Sequence, residues 1–371
     1  MAETADAPER ASAFVKGAVE LVRATGPLVH CVTNLVSMDL AANAVLAAHA
    51  SPAMVHAPEE ASGFARIAGC VVVNVGTIDA LWAEGMTAAV RAVRVRLQQR
   101  RQPATSALER RACRTGSDPQ AAGSGVPVVL DPVGVGAPGL GLRSDVCARL
   151  CADARKGDSS LRLVRGNASE ISALAGLCSA SPNPVEDRVR AWVAGTAPAV
   201  RPGLGELAPV AASGESSEGG SKPRGADSTM PWFEAVGSAV RLALHCRCAV
   251  AVTGPVDVVV APAGSDRMLV GVCGNGQELL TRVTAAGCAL SAVCGAFLAA
   301  ARPATAADAA MSALAALAFY GGAADAAAEA IKGRGGTPGP GSMRSELLDQ
   351  LYSASPQEVQ DRSLVQFATI E

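Results

Sequence analysis

The feature that most constrains this chain is an alternation of short runs rich in β-branched residues with longer, alanine-rich stretches of helical spacing. The runs are Leu28–Thr33, Ala53–His56, Cys70–Val75, Pro127–Leu130, Leu161–Val164 and Ala249–Thr253. A strand followed by a covering helix returns the chain to the same end of a sheet, so the pattern predicts βαβ units around a mostly parallel sheet. Ahead of the first run, Phe14, Ala18, Leu21 and Val22 recur at i, i+4, i+7 and i+8 and predict an opening amphipathic helix with that face inward. Asp257–Val260 and Met268–Val272 flank Pro262-Ala263-Gly264-Ser265, which predicts an antiparallel hairpin at a sheet edge. Two long helices follow, one from near Gly287 and one over Ala306–Ile331, closed by the breaker-rich Gly333–Gly341.

Two segments break the alternation. Gln102–Gly125 and Ala194–Thr229 are polar and rich in turn residues, and we read them as mobile surface insertions in a single domain spanning residues 1–371. At 371 residues and 49% hydrophobic content the chain can bury a large core without disulfide or metal. A net charge of -2 excludes the electrostatic footprint of a nucleic-acid or membrane-surface binder, which points to small-molecule partners. The eleven cysteines are odd in number and scattered. The nearest pairs, Cys147/Cys151 and Cys246/Cys248, lack C-x-x-C spacing, so they read as small buried hydrophobes in a reducing, cytoplasmic compartment. No signal-peptide pattern follows Met1. The longest apolar stretch is placed at Cys288–Ala301, short of the ~20 residues a bilayer span needs, so no membrane segment is expected.

Gly134-Val135-Gly136-Ala137-Pro138-Gly139 matches the G-x-G-x-x-G dinucleotide pattern, but Pro138, Gly139 and Gly141 would break the helix that pattern must open. It reads better as a glycine-rich loop beside a site. No P-loop motif occurs, and the four lysines Lys16, Lys156, Lys222 and Lys332 lie outside any such loop. The strongest local signal is Thr284-Ala285-Ala286-Gly287-Cys288, small residues leading into an apolar helix. Free N–H groups and the positive end of the helix dipole suit a phosphate there, and the same end is expected to lower the pKa of Cys288. Asp131 closes an apolar run, where open α/β sheets place ligands, and Glu170 follows Arg165 by five residues. Such a carboxylate pair can hold Mg²⁺ while an arginine holds phosphate oxygens, although a carboxylate after a strand is also a common helix cap.

These pieces follow the order and wording of a known family. Pro27-Leu28-Val29-His30-Cys31-Val32-Thr33-Asn34, Ala50–Met54 with Ala57–Glu60, Val73–Thr77, Leu130–Gly134, Arg165–Glu170, Val252-Thr253-Gly254 and the Cys288 turn together resemble the hydroxyethylthiazole kinases of the ribokinase-like superfamily. The resemblance spans nearly the whole chain, to Gly339–Ser342 and the terminal Ala368–Glu371. It implies a three-layer α/β/α fold with a mostly parallel central sheet and no separate lid domain. It implies phosphoryl transfer from ATP to the hydroxyl of 4-methyl-5-(2-hydroxyethyl)thiazole, with Mg²⁺ as cofactor, in thiamine biosynthesis or salvage. By the same resemblance Met54, Asn34 and Ala285 face the substrate, and Arg165, Thr253 and Gly287 contact ATP. Asp131 and Glu170 organise the metal, and Cys288 stands where most ribokinase-like enzymes carry a catalytic aspartate. A homotrimer with sites at its interfaces is also implied.

The chain departs from the family pattern at Ala285, where a glycine is usual, in the segment after Leu177, and in both insertions. A negative φ at Ala285 is expected, with Gly287 alone taking the unusual conformation. Competing readings are a thiol hydrolase using Cys288 with His30, His56 or His245, a non-catalytic descendant of the kinase fold, and a kinase of another heterocyclic alcohol such as a pyridoxal-like one.

Overall fold

The computed structural model describes residues 7–101, 125–156, 160–201, 230–264 and 266–371. The expected insertion at 102–125 therefore lies outside the described residues but for Gly125, and 202–229 lies outside them too. The second insertion begins later than the sequence suggested: residues 194–200 complete a helix that buries Ala197 and Val200.

The strands are β1 Leu28–Val32, β2 Ser51–Ala53, β3 Cys70–Asn74, β4 Val128–Asp131, β5 Leu161–Asn167, β6 Ala249–Thr253, β7 Asp257–Pro262, β8 Met268–Cys273 and β9 Val365–Ile370. They form one sheet in the order β2-β1-β3-β4-β5-β6-β7-β8-β9. The first six pair in parallel and the last three are added antiparallel. The predicted hairpin is β7–β8, but β9 pairs along β8 and forms the edge in its place. The described helices are α1 Ala7–Thr25, α2 Met38–Ala47, α3 Pro58–Ala65, α4 Ala80–Arg101, α5 Gly141–Arg155, α6 Ala168–Leu177, α7 Val185–Val200, α8 Ala235–Cys246, α9 Ala286–Ala301, α10 Ala306–Gly333, α11 Pro340–Ser353 and α12 Pro356–Arg362.

Parallel strands covered on both faces must be apolar throughout, and β3 is buried from end to end. Alternate side chains feed two cores. Cys31, Val72, Val129 and Ala251 pack with α1, α2, α9, α10 and α11, whereas Val71, Val73, Leu130 and Val250 pack with α3–α8. This is the expected three-layer α/β/α arrangement. One irregularity interrupts the alternation: Val128 pairs with Leu161 but Val129 with Leu163, so Arg162 is an extra residue in β5. An added residue turns every later side chain to the opposite face. Leu161 accordingly packs in the second core and Leu163 in the first.

Three expectations shift. In α1 the inward residues are Ala11, Val15, Val19 and Val22, while Phe14 and Leu21 are 39% and 41% exposed. Alanine and valine let α1 approach α9, α10 and α12 closely, which the larger side chains would prevent. The second strand ends at Ala53, which leaves Met54 just beyond it. The longest apolar helix is α10, not Cys288–Ala301; its length and composition would suffice to cross a bilayer, yet most of it is buried in the fold.

Candidate functional site

Because β1 and β3–β6 run parallel, their carboxyl ends lie side by side, and the apolar runs end there on polar residues. Asn34 follows β1 by two residues, and Asn74, Asp131, Asn167 and Thr253 are the last residues of β3, β4, β5 and β6. Register brings Asn74 beside Asp131 and Asn167 beside Thr253. The chain leaves β1 first toward β2 and then crosses to β3 on the other side, and at such a reversal the helices diverge and open a crevice.

Asn34 and Asn74 stand at that crevice. The Oδ1 of Asn34 accepts from the backbone N–H groups of Val36 and Ser37 at 3.1 and 3.0 Å. Its Nδ2 must then point inward, where it donates to Asn74 Oδ1 at 2.8 Å and to Cys288 Sγ at 3.5 Å. Asn74 passes the line on, donating from Nδ2 to Asp131 Oδ2 at 2.7 Å. Asp131 Oδ1 has no hydrogen-bond partner although it is buried. Burial above all pushes this carboxyl up to about 7; Arg165 opposes that shift, and Glu170 adds to it. Ser291, in α9, lies close enough to ease the shift, but its hydroxyl makes no hydrogen bond of ordinary geometry.

Arg165 is buried and donates from Nη2 to Thr253 Oγ1 at 2.7 Å, while its Nε is unpartnered. Burial acts most strongly on the guanidinium and favours the neutral form, but Asp131 and Glu170 more than offset it, and the pKa rises. A Cβ on Gly287 would come within 2.9 Å of Arg165 Nη1, so glycine is what lets the guanidinium lie against the start of α9. The extra residue in β5 is what aims Arg165 at that helix.

Glu170 has a structural position. Its Oε2 accepts from Asn167 N at 2.9 Å, and its own N–H donates to Asn167 Oδ1 at 3.0 Å, a capping box for α6. Its Oε1 accepts from Gly134 N at 3.0 Å and ties down the glycine loop. In that loop Gly134, Gly136 and Gly139 all have positive φ and the helix starts only at Gly141, so it does not have the form of a dinucleotide turn.

Two expectations at the α9 turn are overturned. Ala285 is the N-cap residue and has φ 68° and ψ 6°, the left-handed region, while Gly287 sits inside the helix. Cys288 is not lowered in pKa but pushed up to about 11, first by burial and then by Asp131, which outweigh the donors Asn74 and Asn34. The helix end cannot compensate for removing a thiolate from water beside a carboxylate. Met54 is half-buried past the end of β2 and packs on the core.

The histidines that a thiol hydrolase would use are engaged elsewhere. His30 Nε2 meets Val55 O at 2.6 Å, and His56 stacks on Trp82 with ring centres 3.9 Å apart. His245 lines a separate pocket. Sequence reasoning gave no role to Asn74 or Ser291. An apolar strand closing on an amide was the available sign for Asn74; nothing marked a serine inside an alanine-rich helix.

Comparison with known proteins agrees with this geometry. The hydroxyethylthiazole kinase family (HK) matches residues 19–103, 106–183 and 196–357. A hydroxyethylthiazole kinase of Cereibacter sphaeroides is 36% identical over 339 residues, covering 91% of this chain and 93% of that protein. One of Rhizobium etli is 36% identical over 350 residues, covering 94% and 100%. The solved structure of a hydroxyethylthiazole kinase from Pyrococcus horikoshii, 28% identical, superposes with a TM-score of 0.61 over 96% of this chain and 99% of its own. With its sheet order, its strand-end polar residues and a match over most of its length, this chain belongs to the hydroxyethylthiazole kinase family.

Proposed function

We propose that the protein transfers the terminal phosphate of ATP to the hydroxyl of 4-methyl-5-(2-hydroxyethyl)thiazole. The observation that carries this reading is the line Cys288–Asn34–Asn74–Asp131, which joins the crevice at β1 and β3 to the start of α9. The thiazole would lie between Met54 and Asn34 with its hydroxyl toward Cys288, and the nucleotide phosphates along Arg165, Thr253 and Gly287. In α9 the first intrahelical bond runs from Ala289 N to Ala285 O at 2.9 Å. The N–H groups of Gly287 and Cys288 precede it and are free to receive phosphate oxygens.

Phosphoryl transfer depends on alignment and charge neutralisation more than on a strong base. Cys288, a thiol near neutral pH, therefore positions the hydroxyl rather than removing its proton ahead of transfer. Arg165 and the α9 N–H groups stabilise charge on the moving phosphoryl group. The residues fit Mg²⁺: Asp131 Oδ1 is buried and unpartnered, and a cation beside it would favour the ionised carboxylate. Asp131 would hold the ion directly and Glu170 through water, and the ion would supply neutralisation of phosphate charge.

A homotrimer fits the same reading, since Leu35 and Val36 are 63% and 58% exposed directly beside Asn34. Sizing by light scattering tests it, and we place the activity in the cytoplasm, where ATP is available. The decisive experiment is product mass after incubation with hydroxyethylthiazole and Mg-ATP, beside pyridoxal-like and pyrimidine alcohols. No phosphorylated thiazole at saturating substrate would overturn the proposal, and preference for another alcohol would move it within the superfamily.

A further inference from the structure

At the opposite, amino-terminal end of the parallel strands, four thiols cluster. The helices α5 and α8 end where β5 and β6 begin, so Cys151 near the end of α5, Cys246 ending α8 and Cys248 before β6 come together at the amino ends of those strands. The helix α6 starts at the carboxyl end of β5 and runs back, which brings its C-cap, Cys178, to the same place. Cys151 has both Cys178 and Cys246 as sulfur neighbours, and Cys246 has Cys248. Cys151, Cys246 and Cys248 are buried, and Cys178 alone of the four is partly exposed.

An open pocket of about 570 Å³ gives access to this cluster. Its lining includes Cys178, Leu177, Arg155, Lys156 and His245. The partly exposed sulfur thus lines a pocket shared with two cationic side chains, and its sulfur neighbour Cys151 is buried. Among the described residues no group of three or more cysteines, histidines and carboxylates is arranged to hold a metal ion.

We propose that Cys178 is a thiol-modification site for small anionic disulfides such as glutathione disulfide, with Cys151 as the resolving thiol. In the first step the Cys178 thiolate attacks one sulfur of R–S–S–R. That bond breaks, R–S⁻ leaves, and Cys178 carries R–S. Cys151 then attacks the Cys178 sulfur and forms the Cys151–Cys178 disulfide, and the second R–S⁻ leaves with the proton that Cys151 gives up. Two protein thiols are oxidised and one small disulfide is reduced to two thiols. Its sulfur neighbours Cys178 and Cys246, and after them burial, raise the pKa of Cys151, so the mixed disulfide at Cys178 forms first and resolves more slowly.

The test treats the full chain with glutathione disulfide, alkylates the remaining thiols and maps linkages by mass spectrometry without reduction. The expected product is the Cys151–Cys178 crosslink. Cys151→Ala, or Cys151→Ser should the alanine variant fail to fold, is expected to stop at Cys178 carrying one glutathionyl group. Arg155→Ala with Lys156→Ala should slow glutathione disulfide by about tenfold while leaving the neutral hydroxyethyl disulfide unaffected. Cys178 remaining fully alkylatable, a crosslink from Cys178 to Cys246 instead, or equal slowing of both reagents would overturn the proposal.

Discussion

Two acidic side chains in this molecule are surrounded by amides, and they are served very differently. Asp325, in α10, is fully partnered: Oδ1 accepts from Gln277 Nε2 at 2.7 Å, and Oδ2 accepts from Asn275 Nδ2 at 3.2 Å and Gly276 N at 3.1 Å. Asn275 in turn reaches Arg362 O and Leu364 N, which pins the antiparallel end of the sheet. Asp131, at the parallel end, keeps one oxygen without a partner, and the adjacent Ser291 hydroxyl and Arg165 Nε are unpartnered as well. Buried polar groups are ordinarily satisfied, so a saturated cluster reads as architecture and an unsaturated one as a place that awaits charge.

The sharpest way to break that contrast is Asp131→Asn. Activity is expected to fall by about a hundredfold or more, with a raised Mg²⁺ requirement, because the amide cannot complete the charge arrangement. Stability should move the other way. Folded Asp131 and Asp257 both titrate near 7 against an ordinary 3.8, so between those values the folded state binds more protons than the unfolded. Stability of the ligand-free chain therefore falls as pH rises from about 4 to about 7. The Asn variant loses one of these contributions, and its Tm at pH 8 should exceed that of the parent, with the gap closing toward pH 4. A lower Tm at pH 8 would mean that Asp131 is as well satisfied as Asp325.

The mirror experiment is Asp325→Ala, which strands three donors. Denaturant unfolding should show a loss of about 2–3 kcal/mol, with kcat on the remaining folded protein within about twofold. A collapse of kcat at unchanged stability would erase the distinction between the two clusters.

Cys288 comes next. Since its pKa stands near 11, kcat should be flat between pH 6 and 9, and Cys288→Ala should cost less than the roughly 100-fold or more that losing a true general base brings. Cys288→Asp should retain activity. A rise of kcat through pH 8, or complete loss in the alanine variant, would make the thiolate the base.

The smallest effect belongs to Ala285. An L residue in the left-handed region costs about 1–2 kcal/mol, of which glycine returns part as unfolded-state entropy. Ala285→Gly should therefore raise stability by up to about 1 kcal/mol, and a several-fold gain in kcat/KM would show that the strain reaches the site. An unchanged or lower Tm would place the strain elsewhere in the turn.

Much of this was legible in the sequence. The alternation of apolar runs with helical stretches pointed to a mostly parallel sheet, because burial on both faces demands continuous hydrophobicity; the strand order came from the structure. Asp131 was visible as a carboxylate closing an apolar run and Arg165 as an arginine just past one, although β5 runs on through Arg165 to Asn167; Thr253 came from the family resemblance. The amide Asn74 sits in an equivalent position, yet an asparagine after a strand ordinarily signals only a turn. Glu170 was legible as a carboxylate near a helix start, and the structure shows both of its oxygens occupied by backbone donors.

What the sequence determined by itself is where most of the strands and helices lie, since that follows from local periodicity and composition; β9 and the helical residues 194–200 were not read from it. The ionisation of Cys288, the φ of Ala285 and the direction of Arg165 were decided only by tertiary structure. The thiol is governed by burial and by a carboxylate more than a hundred residues away, and the backbone at Ala285 by how α9 must enter the layer. Arg165 shares its parity with Leu161 and in an unbroken strand would face the other core. One extra residue, Arg162, turns it toward α9. That shift is a property of the pairing with β4, and pairing between distant strands leaves no mark in the periodicity of either one.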